Sequence, residues 1–186
     1  MEAQAVPLTD AGRPGGSGID EALRIVEGLP AVLASILETV PQAWLEGSVG
    51  GPEASWSPRA VVEHLLDVED IAFVGRIRRI VEEDEPFIRS IDPPARLAEG
   101  GYAGRGLAEI LSELARRRVA DVARVRTLTP EQLDRTGTHD AAGTITARQL
   151  VHYWGTHDLV HLGQLVKAVR SNLEPHIGGM TRFLEE

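Results

Sequence analysis

The spacing of apolar residues along the chain predicts four long amphipathic helices. Apolar residues that recur every three or four positions form one face of a helix. The predicted helices begin at Asp20, at Pro58, at Leu107 and after Thr146, and the last three end near Glu83, Leu128 and Arg170. Pro30 should kink the first helix or break it near Gly28, because proline lacks the N–H that a helix interior needs.

Two of these helices have sharp start signals. Ser57 is a candidate N-cap with Pro58 in the first helical position, and Trp56 could pack on Val61 as a hydrophobic staple. Thr146 to Gln149 fits a capping box that opens the fourth helix. The second and fourth helices should therefore have well-defined first turns.

The connections complete the predicted organisation. Residues 1–19 should form a flexible arm, residues 20–170 a single bundle domain, and residues 171–186 a C-terminal tail. The connection 84–106 is rich in proline and glycine and should lack regular structure. Its length favours a crossover between helices two and three. The expected fold class is all-α, a four-helix bundle with a long crossover connection.

Composition narrows the possible functions. The chain has 186 residues, a formal net charge of -9 and no cysteine. The negative charge disfavours a general nucleic-acid binder, since that affinity comes mainly from cationic contacts. Without cysteine, a metal must be held by imidazole and oxygen ligands. The sequence lacks a signal peptide pattern and a membrane-spanning run, so a cytoplasmic protein that does not bind membranes is expected.

The strongest chemical motif is HDLVH in the fourth helix. His157 and His161 are four residues apart and lie on one helix face, where both imidazoles can reach one ion. A third ligand is needed, and His64 lies on the inward stripe of helix two. The other three histidines are less suitable, because His152 falls on the opposite face of its helix, His139 lies in a polar loop and His176 in a Gly/Pro-flanked tail. A buried, hydrogen-bonded core histidine is the plainer interpretation of any one of these residues.

The segments WSPRAVVEHLLDVED and HDLVHLGQL resemble the DinB/YfiT-like superfamily of bacterial metal-binding proteins. The resemblance extends from about Asp20 to Arg170. It implies a four-helix bundle of unusual connectivity, usually dimeric, with a nickel or zinc-type ion on His64, His157 and His161. Some relatives resemble transferases or an isomerase that use a low-molecular-weight thiol as cosubstrate.

Three imidazole ligands leave a coordination position open for water or substrate. A divalent ion there could lower the pKa of a coordinated water or stabilise a thiolate, so the expected function is a hydrolase or an S-transferase acting on a small molecule. The alternative is a non-catalytic metal-binding or stress-response protein with an occluded site. A metalloprotease of the HExxH type is unlike this chain, because Asp158 replaces the glutamate.

Five further residues are candidates for the pocket. Gln164 could orient a ligand or the bound water, or be a structural amide at the end of the bundle. Asp67 could hold the His64 tautomer or be a solvated acid. Trp154 and Tyr153 fit packing better than substrate contact. Arg118 lies on the apolar stripe of helix three, where it either extends to solvent or pairs with an anionic substrate or an acidic residue.

Helix two carries a second apolar stripe roughly opposite His64, which would suit a homodimer interface. Its members are Val62, Leu66, Phe73, Ile77 and Ile80. The long connection could cover this stripe instead. A dimer through the outer face of helix two is the expected partner arrangement.

Overall fold

The computed structural model describes residues 18–47, 56–99 and 101–184. The helices, in chain order, are α1 Asp20–Leu37, α2 Gln42–Glu46, α3 Pro58–Val68, α4 Gly75–Glu82, α5 Pro93–Glu99, α6 Leu107–Arg126, α7 Pro130–Leu133 and α8 Ala147–Arg170. The π-helical segment Glu69–Val74 joins α3 to α4 in one long helix. The strands are β1 Phe87–Ile88, β2 Thr136–His139 and β3 Gly143–Thr146.

The long helices form the predicted four-helix bundle. Helix α1 packs against α6 and α8, and α3 also packs against α6 and α8. The helices that pack against α1 are therefore the third and fourth long helices of the chain, not the second. At Gly155, α8 comes so close to α1 that a Cβ would lie 3.2 Å from Ala22. Two apolar clusters fill the core between these helices.

The predicted helix starts are confirmed for α3 and α8. The Ser57 side chain accepts a hydrogen bond from the Ala60 amide, and Thr146 and Gln149 form both bonds of a capping box. Helix α1 begins at Asp20, as predicted, with Ile19 as its N-cap. Of the two outcomes predicted at Pro30, the break is wrong, because α1 continues through Pro30. Pro30 is buried, so packing on both sides of it holds the helix together despite the missing N–H.

The expectation of an exposed second stripe on helix two is wrong. All five stripe residues are at most 2% exposed within the single chain. Val62 and Leu66 precede the π segment and are buried in the core cluster that also holds Leu45 of α2. A π turn takes one more residue than an α turn and rotates the helix back by about 100°, which brings Phe73, Ile77 and Ile80 into the other core cluster. The dimer remains a prediction, but this stripe does not provide its surface.

The long connection holds more structure than predicted. The segment 84–106, expected to be irregular, contains β1 and α5. The short helix α2 lies between α1 and α3. Residues 136–146 form a hairpin in which β2 pairs antiparallel with β3, and β1 adds to β2 in parallel. Gly143, at φ 72°, occupies the left-handed position in the hairpin turn.

The ends of the chain are described in part. Most of the predicted arm lies outside the described residues, although Ile19 is fully buried and belongs to the core. Residues 171–184 form turns and short 3-10 segments. Within the described ranges, no helix has the length and apolar character needed to cross a membrane.

Candidate metal centre

The structure brings the three predicted ligands to one point. His64 lies on α3, and His157 and His161 lie one turn apart on α8. The Nε2 atom of His157 is 3.2 Å from Nε2 of His64 and 3.1 Å from Nε2 of His161. One potential ligand atom from each residue lies within 4.8 Å of the other two. The two well-capped helices fix this convergence.

The three imidazoles are held in the neutral form. Burial, followed by the neighbouring His161, lowers the pKa of His64 to about 3. Burial and the two other histidines lower the pKa of His157 to about 3 as well. Burial also lowers the pKa of His161, although its bond to Gln164 opposes the shift. Neutral imidazole is the form that binds a metal ion.

Gln164 forms a hydrogen bond with His161 and fixes the orientation of its ring. Its Oε1 lies 2.8 Å from Nδ1 of His161 and accepts the proton on that nitrogen. The lone pair of His161 is therefore on Nε2 and faces the other two rings. The Nδ1 atoms of His64 and His157 are buried without a hydrogen-bond partner among the described residues.

Asp67 does not hold the His64 tautomer. Its two carboxylate oxygens accept hydrogen bonds from Arg96, at 2.7 and 3.0 Å. Arg96 belongs to α5, in the connection that was expected to be irregular. The pair therefore attaches that connection to α3, and Asp67 acts on His64 only as a nearby charge that opposes the lowering of its pKa.

The histidines lie at the wall of a solvent-open cavity of about 770 Å³. The cavity is also lined by four residues of the long connection, Ser90, Ile91, Pro93 and Pro94, and by residues of the β2–β3 hairpin. The connection thus shapes the cavity without sealing it. His157 is only partly buried, so the centre is accessible from this space.

Aromatic rings surround the histidines. Trp56 stacks on His161 with ring centroids 5.7 Å apart and lies 4.5 Å from the ring of His64. Phe73 and Tyr153 both contact His157 edge-on. Trp154 is fully buried and stacks on Phe73, so its role is packing, as predicted. Tyr153 lines the cavity, so it is available for substrate contact as well.

Arg118 is buried behind the centre and pairs with acidic residues. Its guanidinium donates two hydrogen bonds to Asp158, at 2.7 and 2.8 Å, one to Glu69 and one to the carbonyl of Val26. The alternative that Arg118 extends to solvent is wrong. It also does not line the cavity, so it does not meet a substrate there.

The other three histidines are not part of the cluster. His152 and His176 are exposed. His139 ends β2 rather than lying in a loop, and its Nδ1 accepts bonds from the amides of Ala141 and Ala142. It does line the same cavity, on the hairpin side.

The donor set fits a divalent metal ion. Tetrahedral coordination with metal–nitrogen distances of roughly 2.0–2.1 Å places the nitrogens roughly 3.3 Å apart, close to the two measured separations. The three side chains are neutral, and at least one is fixed with its lone pair inward. Three imidazoles suit zinc and nickel better than calcium or magnesium, which prefer oxygen ligands.

Comparison with known proteins identifies the family of this chain and agrees with its fold. A sequence profile described as the DinB superfamily matches residues 21–165, and the chain belongs to this superfamily. A protein of Oceanobacillus iheyensis, provisionally named a metal-dependent hydrolase, is 25% identical over 154 residues, covering 80% of this chain and 86% of that protein. The chain also resembles the solved structure of YfiT from Bacillus subtilis.

That structure has a TM-score of 0.74 to this chain at 22% identity, and the match covers 89% of this chain and 93% of YfiT. YfiT is provisionally described as a metal-dependent hydrolase with an unusual four-helix bundle topology. The likeness establishes the bundle fold.

Sequence reasoning missed three contributors to the cavity. Trp56 was interpreted only as a staple, although its position directly before the N-cap places it near His64. The hairpin was visible as alternating Thr and Ile residues around a glycine, in TGTHDAAGTIT. Arg76 was missed because the π turn that directs it toward the cavity has no clear sequence signal.

Proposed function

We propose that the chain is a metal-dependent hydrolase that holds one zinc or nickel ion on His64, His157 and His161. The observation that carries this proposal is the convergence of three neutral imidazole nitrogens on the wall of a solvent-open cavity. Catalytic zinc sites have three protein ligands and an open position, whereas structural sites are closed. The provisional names of the two relatives support the same chemistry.

A bound ion would supply Lewis-acid activation of water or of a thiol at neutral pH. The chain's own residues prepare the site for it. Gln164 keeps the proton of His161 on Nδ1, and the Trp56 ring covers His161 and His64 on one side. The open cavity admits a small molecule beside His157 and favours an enzyme over a non-catalytic protein with an occluded site.

Transfer of a low-molecular-weight thiol is the second candidate. The cavity volume supports it, since about 770 Å³ lies near the upper end for ligand pockets and leaves room for a cosubstrate beside the substrate. A homodimer is proposed as well. It rests on the resemblance to a usually dimeric superfamily, and light scattering after size exclusion tests it.

Activity assays distinguish these possibilities. The protein is stripped with a chelator and reloaded with zinc or nickel. It is then assayed for hydrolysis of a panel of esters and amides without thiol, and for transfer of a small thiol to electrophilic substrates. Turnover that requires the metal and no thiol is expected. Turnover only with thiol would support the transferase, and no turnover at full metal occupancy would support the non-catalytic alternative. His152→Ala is the matched control, since it removes an exposed histidine of α8.

A further inference from the structure

Arg76 is a half-buried cation that forms no ion pair with the residues that the structure describes. It lies on α4, and the cavity is lined in part by its side chain. One of its N–H groups donates to the carbonyl of Arg89 at 2.6 Å, and no carboxylate of the described residues forms a salt bridge with it. Arg78 and Arg116 also form no salt bridge with a described residue, but their side chains are exposed. Arg76 differs from them because its side chain is partly buried.

Its surroundings compensate the charge of Arg76 only in part. The closest acid in electrostatic terms is Asp140, whose two carboxylate oxygens accept bonds from the amide and hydroxyl of Ser90. Within the described residues, Arg76 is the only formally charged side chain that lines the cavity. Burial lowers the pKa of Arg76, which reflects the cost of partly removing this charge from water. An anionic ligand would offset that cost.

The π turn aligns Arg76 with the metal centre. Arg76 is twelve residues after His64, so a regular α-helix would rotate it away by about 120°. The extra residue in the segment Glu69–Val74 reduces this to about 20°, so both side chains lie on one face. Helical side chains also lean toward the N-terminus of the helix, which directs Arg76 toward His64.

We propose that Arg76 binds an anionic oxyacid group, carboxylate or phosphate, at the end of the substrate opposite the reacting group. The two ends are separated by an apolar wall that includes Phe73, Ile145 and Leu150. Twelve helical residues span roughly 18 Å, and the long side chain of Arg76, which leans back toward His64, shortens the gap to on the order of 10 Å. The substrate class is therefore a small amphiphile with an anionic end and an apolar middle. This inference rests on the proposed function, since it places the substrate in the same cavity.

Calorimetric titration with octanoate, its neutral isostere octanamide and octyl phosphate tests the proposal. Metal-free protein is used first, so that an anion cannot bind through the metal, and zinc-loaded protein second. Wild-type protein should bind octanoate or octyl phosphate at least about tenfold more tightly than octanamide, a typical gain from a charge-assisted hydrogen bond. Comparison of the two anions tells carboxylate from phosphate.

Variants separate this result from general charge effects. Arg76→Gln should abolish the preference for the anion, Arg76→Lys should keep part of it, and Arg78→Gln, exposed on the same helix, should keep all of it. Three results would each overturn the proposal. They are an anion preference that is unchanged in Arg76→Gln, the absence of a preference in wild-type protein, and no binding of either anion at millimolar concentration. Zinc stoichiometry measured on the same samples shows separately whether the metal site exists.

Discussion

Asp158 lies directly after His157 and forms a two-point ion pair with Arg118 on another face of α8, about 100° away. The guanidinium of Arg118 is 1% exposed, and it reaches the π segment through Glu69 and α1 through the carbonyl of Val26. One side chain of α6 therefore contacts the other three long helical segments. The orientation of α8, and with it that of His157 and His161, depends on this buried network.

Removal of Arg118 should strongly destabilise the fold. Arg118→Met leaves the carboxylates of Asp158 and Glu69 buried without their cation, which costs about 3–5 kcal/mol of unfolding free energy. The double variant Arg118→Met/Asp158→Leu should lose less than the single one, because one of those charges is also removed. Urea denaturation measures both, with the exposed Arg116→Met as control. A loss below about 1 kcal/mol in Arg118→Met would contradict this role.

Gly75 should be required for the π turn. A Cβ at this position would lie 2.7 Å from the carbonyl oxygen of Asp70, to which the Gly75 amide donates the bond that closes the turn. Gly75→Ala should therefore cost about 1–3 kcal/mol of unfolding free energy. Gly28→Ala is the control, since nothing lies within 4 Å of its added Cβ, and it should stabilise α1 by about 0.5–1 kcal/mol. Equal effects of the two substitutions would refute the requirement.

Acid should destabilise the metal-free protein through His64. Its pKa is about 3 in the folded state and 6.5 in the reference state. Between these pH values the unfolded state binds more protons, so the free energy of unfolding falls as the pH is lowered through this window. In a chelator, wild-type protein should lose about 1 kcal/mol more per pH unit than His64→Leu. Identical pH slopes for the two proteins would show that His64 is not held neutral.

Gln164 should contribute to metal affinity rather than to metal stoichiometry. Gln164→Leu removes the acceptor that keeps the proton of His161 on Nδ1, so affinity should fall roughly 10–100-fold while one ion still binds at saturation. Gln164→Glu keeps an oxygen acceptor and should retain the wild-type affinity. Competition with a chelator of known affinity measures all three proteins. An unchanged affinity in Gln164→Leu would rule out the orienting role.

The helices and the histidine cluster were predictable because their determinants are local. Caps at Ser57 and Thr146 and apolar periodicity fix where α3 and α8 begin and which face turns inward. Regular helix geometry is then enough to place His157 and His161 on one face of α8. It is also enough to place His64 on the inward face of α3, because His64 precedes the π turn.

What lies beyond the π turn was not predictable in the same way. A rule of about 100° per residue places Phe73 and Ile77 on an outer face, and the single extra residue of the turn moves them inside. The sequence did not decide whether the Arg118 side chain extends to solvent or pairs with an acidic residue, and the reason is different. Its partners Glu69 and Asp158 are 49 and 40 residues away, and only the packed bundle brings them together.

Metal titration of six single variants tests the central claim most directly. Each histidine is replaced by alanine, and binding of zinc to chelator-stripped protein is measured by calorimetry. Wild-type protein, His139→Ala, His152→Ala and His176→Ala should each bind one ion per chain, whereas His64→Ala, His157→Ala and His161→Ala should show no tight one-to-one binding. Retention of one tightly bound ion by folded His64→Ala protein would contradict the three-histidine centre.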